Sequence, residues 1–211
     1  IFVLLSQLTV LNLAGYVYPN VYGNAAAQST ASLLGTVVML VVCAPFASKL
    51  SAKFGKKELA MGSSILSALV WLVCLIWRPA SVWGFVACYI LANIGMGFFN
   101  TIIWAMITDV IDDAEVRNGV REDGTIYSVY SFARKLGQAF SSGLVGALLG
   151  IIGYTEATAF DPAVTRGIFN MACIAPIIGF VCIVLALAFL YPLNKKKVEE
   201  NVAELAARRN K

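Results

Sequence analysis

No histidine occurs anywhere in the 211 residues. That absence excludes Ser-His-Asp hydrolase triads, HExxH zinc proteases and most imidazole metal sites. Charge is scarce as well. Asp, Glu, Lys and Arg make up 13% of the chain, against about 25% in a typical soluble domain. Apolar residues reach 59%, above the roughly 45–50% of soluble domains, so an ordinary soluble domain is excluded too. Cys43, Cys74, Cys88, Cys173 and Cys182 are odd in number, sit inside apolar runs and include no CxxC. They read as free thiols packed as small hydrophobes. The net charge of +4 comes from residues flanking apolar stretches instead of forming one basic face, which argues against nucleic acid as a partner.

What the chain has is long apolar runs. A membrane-spanning helix needs about 20 mostly apolar residues, and six runs qualify, near residues 1–18, 28–50, 58–77, 82–111, 125–152 and 164–191. Backbone groups in lipid must be satisfied within their own segment, so these runs are expected as helices. Arg78-Pro79 ends the third and Pro192 the sixth. The first run starts without Met or a basic flank, which argues against a signal peptide and leads us to expect a chain taken from the middle of a longer protein. The expected fold class is therefore all-α membrane protein, with a multi-pass bundle over 1–191 and a charged tail over 192–211.

Orientation follows from Lys and Arg. The loop after the second run holds Lys49, Lys53, Lys56 and Lys57. The loop after the fourth holds Arg117 and Arg121, and the tail holds Lys195, Lys196, Lys197, Arg208, Arg209 and Lys211. These twelve residues share one side, while Arg78 and Arg166 alone lie on the other. The positive-inside rule puts the basic side and the C-terminus in the cytoplasm of a cell inner or plasma membrane. The tail reads as a short helix, with Val198, Val202 and Leu205 at helical spacing and the pair Glu204–Arg208 at i,i+4, solvated and partly frayed in preference to docked on a specific partner site.

Polar residues inside a span are costly unless they face water, substrate or one another. Thr9, Asn12, Tyr16 and Asn20 lie on one face of the first span, and Gln28, Ser32 and Thr36 on one face of the second. The fourth carries Asn93, Gly97, Asn100 and Trp104. The fifth carries Ser128, Ser131, Lys135, Gln138 and Ser142. The third and sixth are nearly without such faces and are expected at the periphery. Helix–helix packing by small polar residues remains an alternative for each stripe. Asn100 with Trp104 one turn on joins an amide to an aromatic face, a pairing suited to a sugar. Lys135 lies about 16 Å into its helix at 1.5 Å per residue, near the bilayer centre, where a lysine costs on the order of 2.5–3.5 kcal/mol. It is expected to be paired or to face an aqueous cavity. No carboxylate lies at that depth, so an acidic partner has to come from outside this chain. Arg134 points about 100° away from it.

The loop of residues 108–128, TDVIDDAEVRNGVREDGTIYS, concentrates Asp109, Asp112, Asp113, Glu115, Arg117, Arg121, Glu122 and Asp123. Ion pairs that break and re-form at low net cost suit a gate, and a solvated connector is the alternative. This loop and the following ARKLGQA resemble the signature of the glycoside–pentoside–hexuronide:cation symporters, a melibiose-permease-like family of the major facilitator superfamily. KFGKK at residues 53–57 is similar to another loop of that family. The resemblance covers nearly the whole chain, as the C-terminal six helices of a twelve-helix transporter. It implies a sodium- or proton-coupled sugar or glycoside symporter working by alternating access. By the same resemblance Lys135 falls at a functional lysine, and Asp109, Asp113, Arg117 and Arg121 fall in or beside a cytoplasmic gate motif. Asn100, Tyr130 and Ser131 fall where relatives contact sugar. The aromatic usual in the gate motif is replaced by Asp113. The coupling cation is expected to sit in an N-terminal six-helix half, with no cofactor or metal held by this chain.

Asn12, Tyr16, Asn100, Trp104, Tyr130, Ser131, Lys135 and Gln138 are thus the candidate substrate residues. The expected partners are a small sugar or glycoside, the N-terminal half and the lipid bilayer. A carrier of lysolipids or other amphiphiles and a non-transporting six-helix protein are the alternatives. Intramembrane catalysis is disfavoured, because histidine and paired mid-membrane carboxylates are both missing.

Overall fold

Helix accounts for nearly all of the architecture in the computed structural model, which describes residues 1–209. Lys211, counted above among the tail cations, lies outside the described residues. The six long helices are α1 (Phe2–Val21), α2 (Ala26–Phe54), α3 (Lys56–Trp77), α4 (Val82–Asn118), α5 (Asp123–Ile151) and α6 (Pro162–Leu190), followed by the short α7 (Lys195–Arg209).

Five of the long helices are long and apolar enough to cross a membrane, and α5 is not among them. Its composition is diluted by Ser128, Ser131, Arg134, Lys135, Gln138, Ser141 and Ser142. α4 continues past the expected end at residue 111 because its last turns are held by charge, including the i,i+4 pair Asp113–Arg117 at 2.9 Å. At 37 residues it measures about 55 Å, well beyond a hydrocarbon core of about 30 Å. It therefore projects from the bilayer at one end.

Two helices change pitch where proline requires it. Pro45 lacks an N–H, and its ring crowds the carbonyl four residues back. The turn before it, Met39–Cys43, widens into a π-helical stretch. Pro19 lies inside a similar stretch, Val17–Val21. The wide turn in α2 presents Cys43, whose thiol donates to the Ile94 carbonyl at 3.3 Å. Gly97 faces it on α4, where a Cβ would lie 2.6 Å from Cys43 Sγ. At the other contact of α4, Ser67 of α3 donates across to the Ala92 carbonyl at 2.8 Å. Small residues with bonded hydroxyls are how helices approach closely in lipid. The five thiols are free, and four of them are buried.

α4 is the central helix, packed against α2 and α3, while α6 lies against α1 and α3, and α5 leans on α1. At the end away from the basic loops, Phe85 gathers Tyr18, Trp71 and Phe169 with ring centroids 5.6, 5.9 and 6.0 Å from its own. Tilted and edge-on pairs of this kind add about 0.5–1.5 kcal/mol each beyond burial. At the basic end the break between α2 and α3 is the single residue Gly55, at φ 102°, a conformation open to glycine but not to residues with a Cβ. The outer faces of α3 and α6 expose Leu69, Leu72, Val73, Val181 and Leu185. In a soluble protein such a surface would be an aggregation hazard; in a multi-pass membrane protein it meets lipid.

The tail corrects the sequence expectation. α7 is docked, with Leu205 buried and Asn201 almost fully so. Asn201 Nδ2 donates to Asp113 Oδ1 at 2.9 Å, Lys195 to the Ala52 carbonyl at 2.8 Å, and Arg208 to the Val116 carbonyl at 3.0 Å. Its apolar positions at helical spacing gave the helix, but not the surface on which that face closes.

Candidate functional site

A cleft of about 400 Å³ opens on one side of the bundle. α1 contributes Leu4 and Gln7, α2 contributes Met39, α4 contributes Phe99, Asn100, Ile103 and Trp104, and α5 contributes Tyr130 and Arg134. These are the four helices with polar stripes; α3 and α6 stand behind and contribute nothing to the lining.

Tyr130 and Arg134 are one turn apart on α5, and Asn100 and Trp104 one turn apart on α4, so each helix delivers a pair to one face. The Trp104 and Tyr130 rings meet edge to face, with centroids 5.3 Å apart and planes 71° from parallel. The Arg134 guanidinium carbon lies 5.7 Å from each ring centroid. A cation–π contact contributes about 0.5–1 kcal/mol when exposed and about 2 when desolvated. A mid-membrane arginine costs on the order of 2.5–3.5 kcal/mol by insertion scales. Arg134 is three residues from the midpoint of the 29-residue α5. The rings therefore offset only part of its cost, and the remainder falls to water or to an anion in the cleft. Among the described residues, no carboxylate lies within ion-pair range of Arg134.

The candidate substrate residues separate accordingly. Asn100, Trp104 and Tyr130 line the cleft. Ser131 and Lys135 are exposed on the adjoining face of α5, with Gln138 half-buried beside them. The cleft phase of α5 runs through Tyr130 and Arg134 and continues into Gly137 and Ser141, which are buried. The stripe of Ser128, Ser131, Lys135 and Ser142 is turned outward by one residue, about 100°. Lys135 thus has neither a partner nor a place in this cleft among the described residues. On α1, Asn12 is exposed and Tyr16 packs edge-on against Tyr154 at 5.1 Å, so neither reaches the cleft. Gln7 does, three residues after Leu4 on the same face. Of the polar cleft residues the sequence stripes missed Gln7, Tyr130 and Arg134, with Tyr130 reached only through the family resemblance, because the stripes were phased on the most polar positions and not on the buried ones.

The four gate candidates divide among three polar clusters at the basic end. Asp109, 5% exposed, is met by Lys56 Nζ at 2.6 Å from the start of α3. Asp113 takes Arg117 at 2.9 Å and Asn201 of α7. Arg121 binds Asp112 at 2.8 Å and Glu115 and Asp123 at 2.9 Å each, and this triple pairing holds its guanidinium above the ordinary arginine value. Arg209 adds a second cation to Glu115 at 3.3 Å. The cluster is exposed, where individual pairs are worth little. Lys56 and Asn201 are partners from elsewhere in the chain that spacing within the loop could not identify.

Comparison with known proteins gives the family. A family model described as MFS/sugar transport protein matches residues 1–195. A glucuronide carrier protein homolog of Escherichia coli strain K12 is 32% identical over 180 residues, covering 84% of this chain and 38% of that protein. A protein of the same strain provisionally named a sulfoquinovose importer is 30% identical over 178 residues, covering 84% of this chain and 37% of that protein. A third from that strain, provisionally named a glycoside/cation symporter, is 33% identical over 105 residues, covering 48% and 23%. The chain thus spans less than two fifths of the length of these relatives. An all-helical bundle of apolar spans, a polar and aromatic cleft on the four striped helices, and a match over nearly its whole length make this chain a member of the MFS/sugar transport protein family.

Proposed function

We propose that this chain is the C-terminal half of a cation-coupled sugar or glycoside symporter that works by alternating access. The observation that carries the reading is the cleft. It combines two amides, two aromatic rings and a cation in a bundle whose α3 and α6 outer faces are apolar. A sugar needs such a surface: hydroxyls for Asn100 and Gln7, and a C–H face for Trp104. An amphiphile carrier calls for a more apolar lining than these residues give. Coupling to a cation is supported by the name of one relative alone, and the cation site belongs to an N-terminal half facing the cleft. Lys135 and the serines beside it turn toward that half, where the lysine links cation occupancy to sugar binding. The basic end faces the cytoplasm by the positive-inside rule. The ion pairs of Asp109, Asp113, Arg117 and Arg121 form the inner closure there.

The test is uptake of labelled glycosides by vesicles carrying the complete protein, with and without an imposed sodium or proton gradient. Accumulation above equilibrium with one gradient is expected. Trp104→Ala is expected to lower it about tenfold or more, the equivalent of roughly 1.4 kcal/mol of lost binding. Undiminished uptake in Trp104→Ala would remove the cleft from the pathway.

A further inference from the structure

We propose that Arg134 selects for substrates bearing an anionic group, a carboxylate or sulfonate on the sugar, and that its guanidinium is the anion-binding subsite of the cleft. This rests on the transport reading above and deepens it.

Three observations converge. First, Arg134 lies against the Trp104–Tyr130 pair, its guanidinium carbon 5.7 Å from each ring centroid. A cation–π contact uses the charge of the guanidinium without consuming its N–H donors. Second, among the described residues no carboxylate neutralises it, although the four arginines at the basic end, Arg117, Arg121, Arg208 and Arg209, all have acidic partners. Third, it shares the cleft with the amides of Gln7 and Asn100, groups that serve hydroxyls without any charge. A neutral glycoside would be satisfied by those amides and rings alone. A cation at mid-depth gains its full value only from a desolvated anion, and the planar fork matches two oxygens of a carboxylate or sulfonate at once. Two of the relatives above carry names that specify acidic sugars, one a carboxylate and one a sulfonate. The cleft of about 400 Å³ holds one sugar ring with such a group.

The experiment measures initial uptake of three probes by vesicles carrying the complete protein: p-nitrophenyl glucuronide, a 6-sulfonated glucoside and neutral p-nitrophenyl glucoside. Each is run on the unaltered protein, Arg134→Lys and Arg134→Gln, with membrane protein levels matched. The unaltered protein is expected to favour at least one acidic probe over the neutral one. Arg134→Gln is expected to raise the KM for that probe about thirtyfold, the size of a lost charge-assisted hydrogen bond. The neutral probe should lose less than the acidic one, because a hydroxyl accepts a weaker bond from a guanidinium than an anion does, so the ratio of the two losses is what the experiment reads. Arg134→Lys should fall between, keeping charge but losing the fork. Equal losses for acidic and neutral probes would overturn the proposal, since Arg134 would then be a structural residue or paired to a carboxylate of the other half. Preference of the unaltered protein for the neutral probe would overturn it as well, while leaving sugar transport standing. No uptake of any glycoside would instead remove the transport reading, and the selection proposal with it.

Discussion

Arg134 and Lys135 are neighbours in sequence, and helix geometry sends them about 100° apart. One turns into a cleft beside two aromatic rings; the other is exposed on the adjoining face. The sequence singled out Lys135 because its family motif and its depth were both legible there. Arg134 could not be ranked without the phase of α5, and that phase is set by Gly137 and Ser141 packing inward. The same holds for Lys56 and Asp109. Each was visible as a charge near a helix end, but their meeting at 2.6 Å joins residues 53 apart in sequence. For this half-buried pair, Asp109→Ala is expected to cost about 1–3 kcal/mol, between the exposed and buried limits. A thermal unfolding series in detergent checks this, with Asp109→Ala, Lys56→Met and the double variant. The double should be less damaging than Asp109→Ala plus Lys56→Met taken together, and strict additivity would show the pair to be inert.

At the scale of the helix, the apolar runs specified where helices form, and two prolines, Pro19 and Pro45, mark where the pitch changes. What the runs left open was which face meets which. Gly97 illustrates this: as a letter it was one member of a polar stripe, whereas in the fold it is the gap into which Cys43 fits. Gly97→Leu is expected to destabilise the bundle by about 1–3 kcal/mol through overpacking. Gly143→Ala, on the open side of α5 where a Cβ meets nothing within 4 Å, should be neutral in the same melting assay. α7 is the second case. Its charged composition suggested solvent, and the decisive contact was a single asparagine reaching a carboxylate 88 residues away. Asn201→Ala leaves Asp113 short of a donor, a loss of about 1–3 kcal/mol. Limited trypsin digestion should cut the variant at Lys195–Lys197 well before the unaltered protein, and equal rates would mean that α7 does not depend on that bond.

For the molecule as a whole, hydropathy and charge asymmetry carried the membrane assignment, and the motif resemblance carried the family. The cleft needed three dimensions, since it draws on four helices and on residues from Leu4 to Arg134. A reporter active only in the cytoplasm, fused after α7, is expected to be active if the basic end faces inward. Activity of a reporter confined to the outside would reverse the orientation. The docking of α7 bears on motion as well. α7 reaches from the Ala52 carbonyl at the end of α2 to the Val116 carbonyl at the end of α4, a distance of about 20 Å along its axis. It therefore acts as a crossbar between the basic-end termini of two helices that border the cleft. Those ends cannot splay while the crossbar is seated. In the proposed alternating access, opening at that end swings this bundle as one block against the other half, with the hinge outside the crossbar's reach.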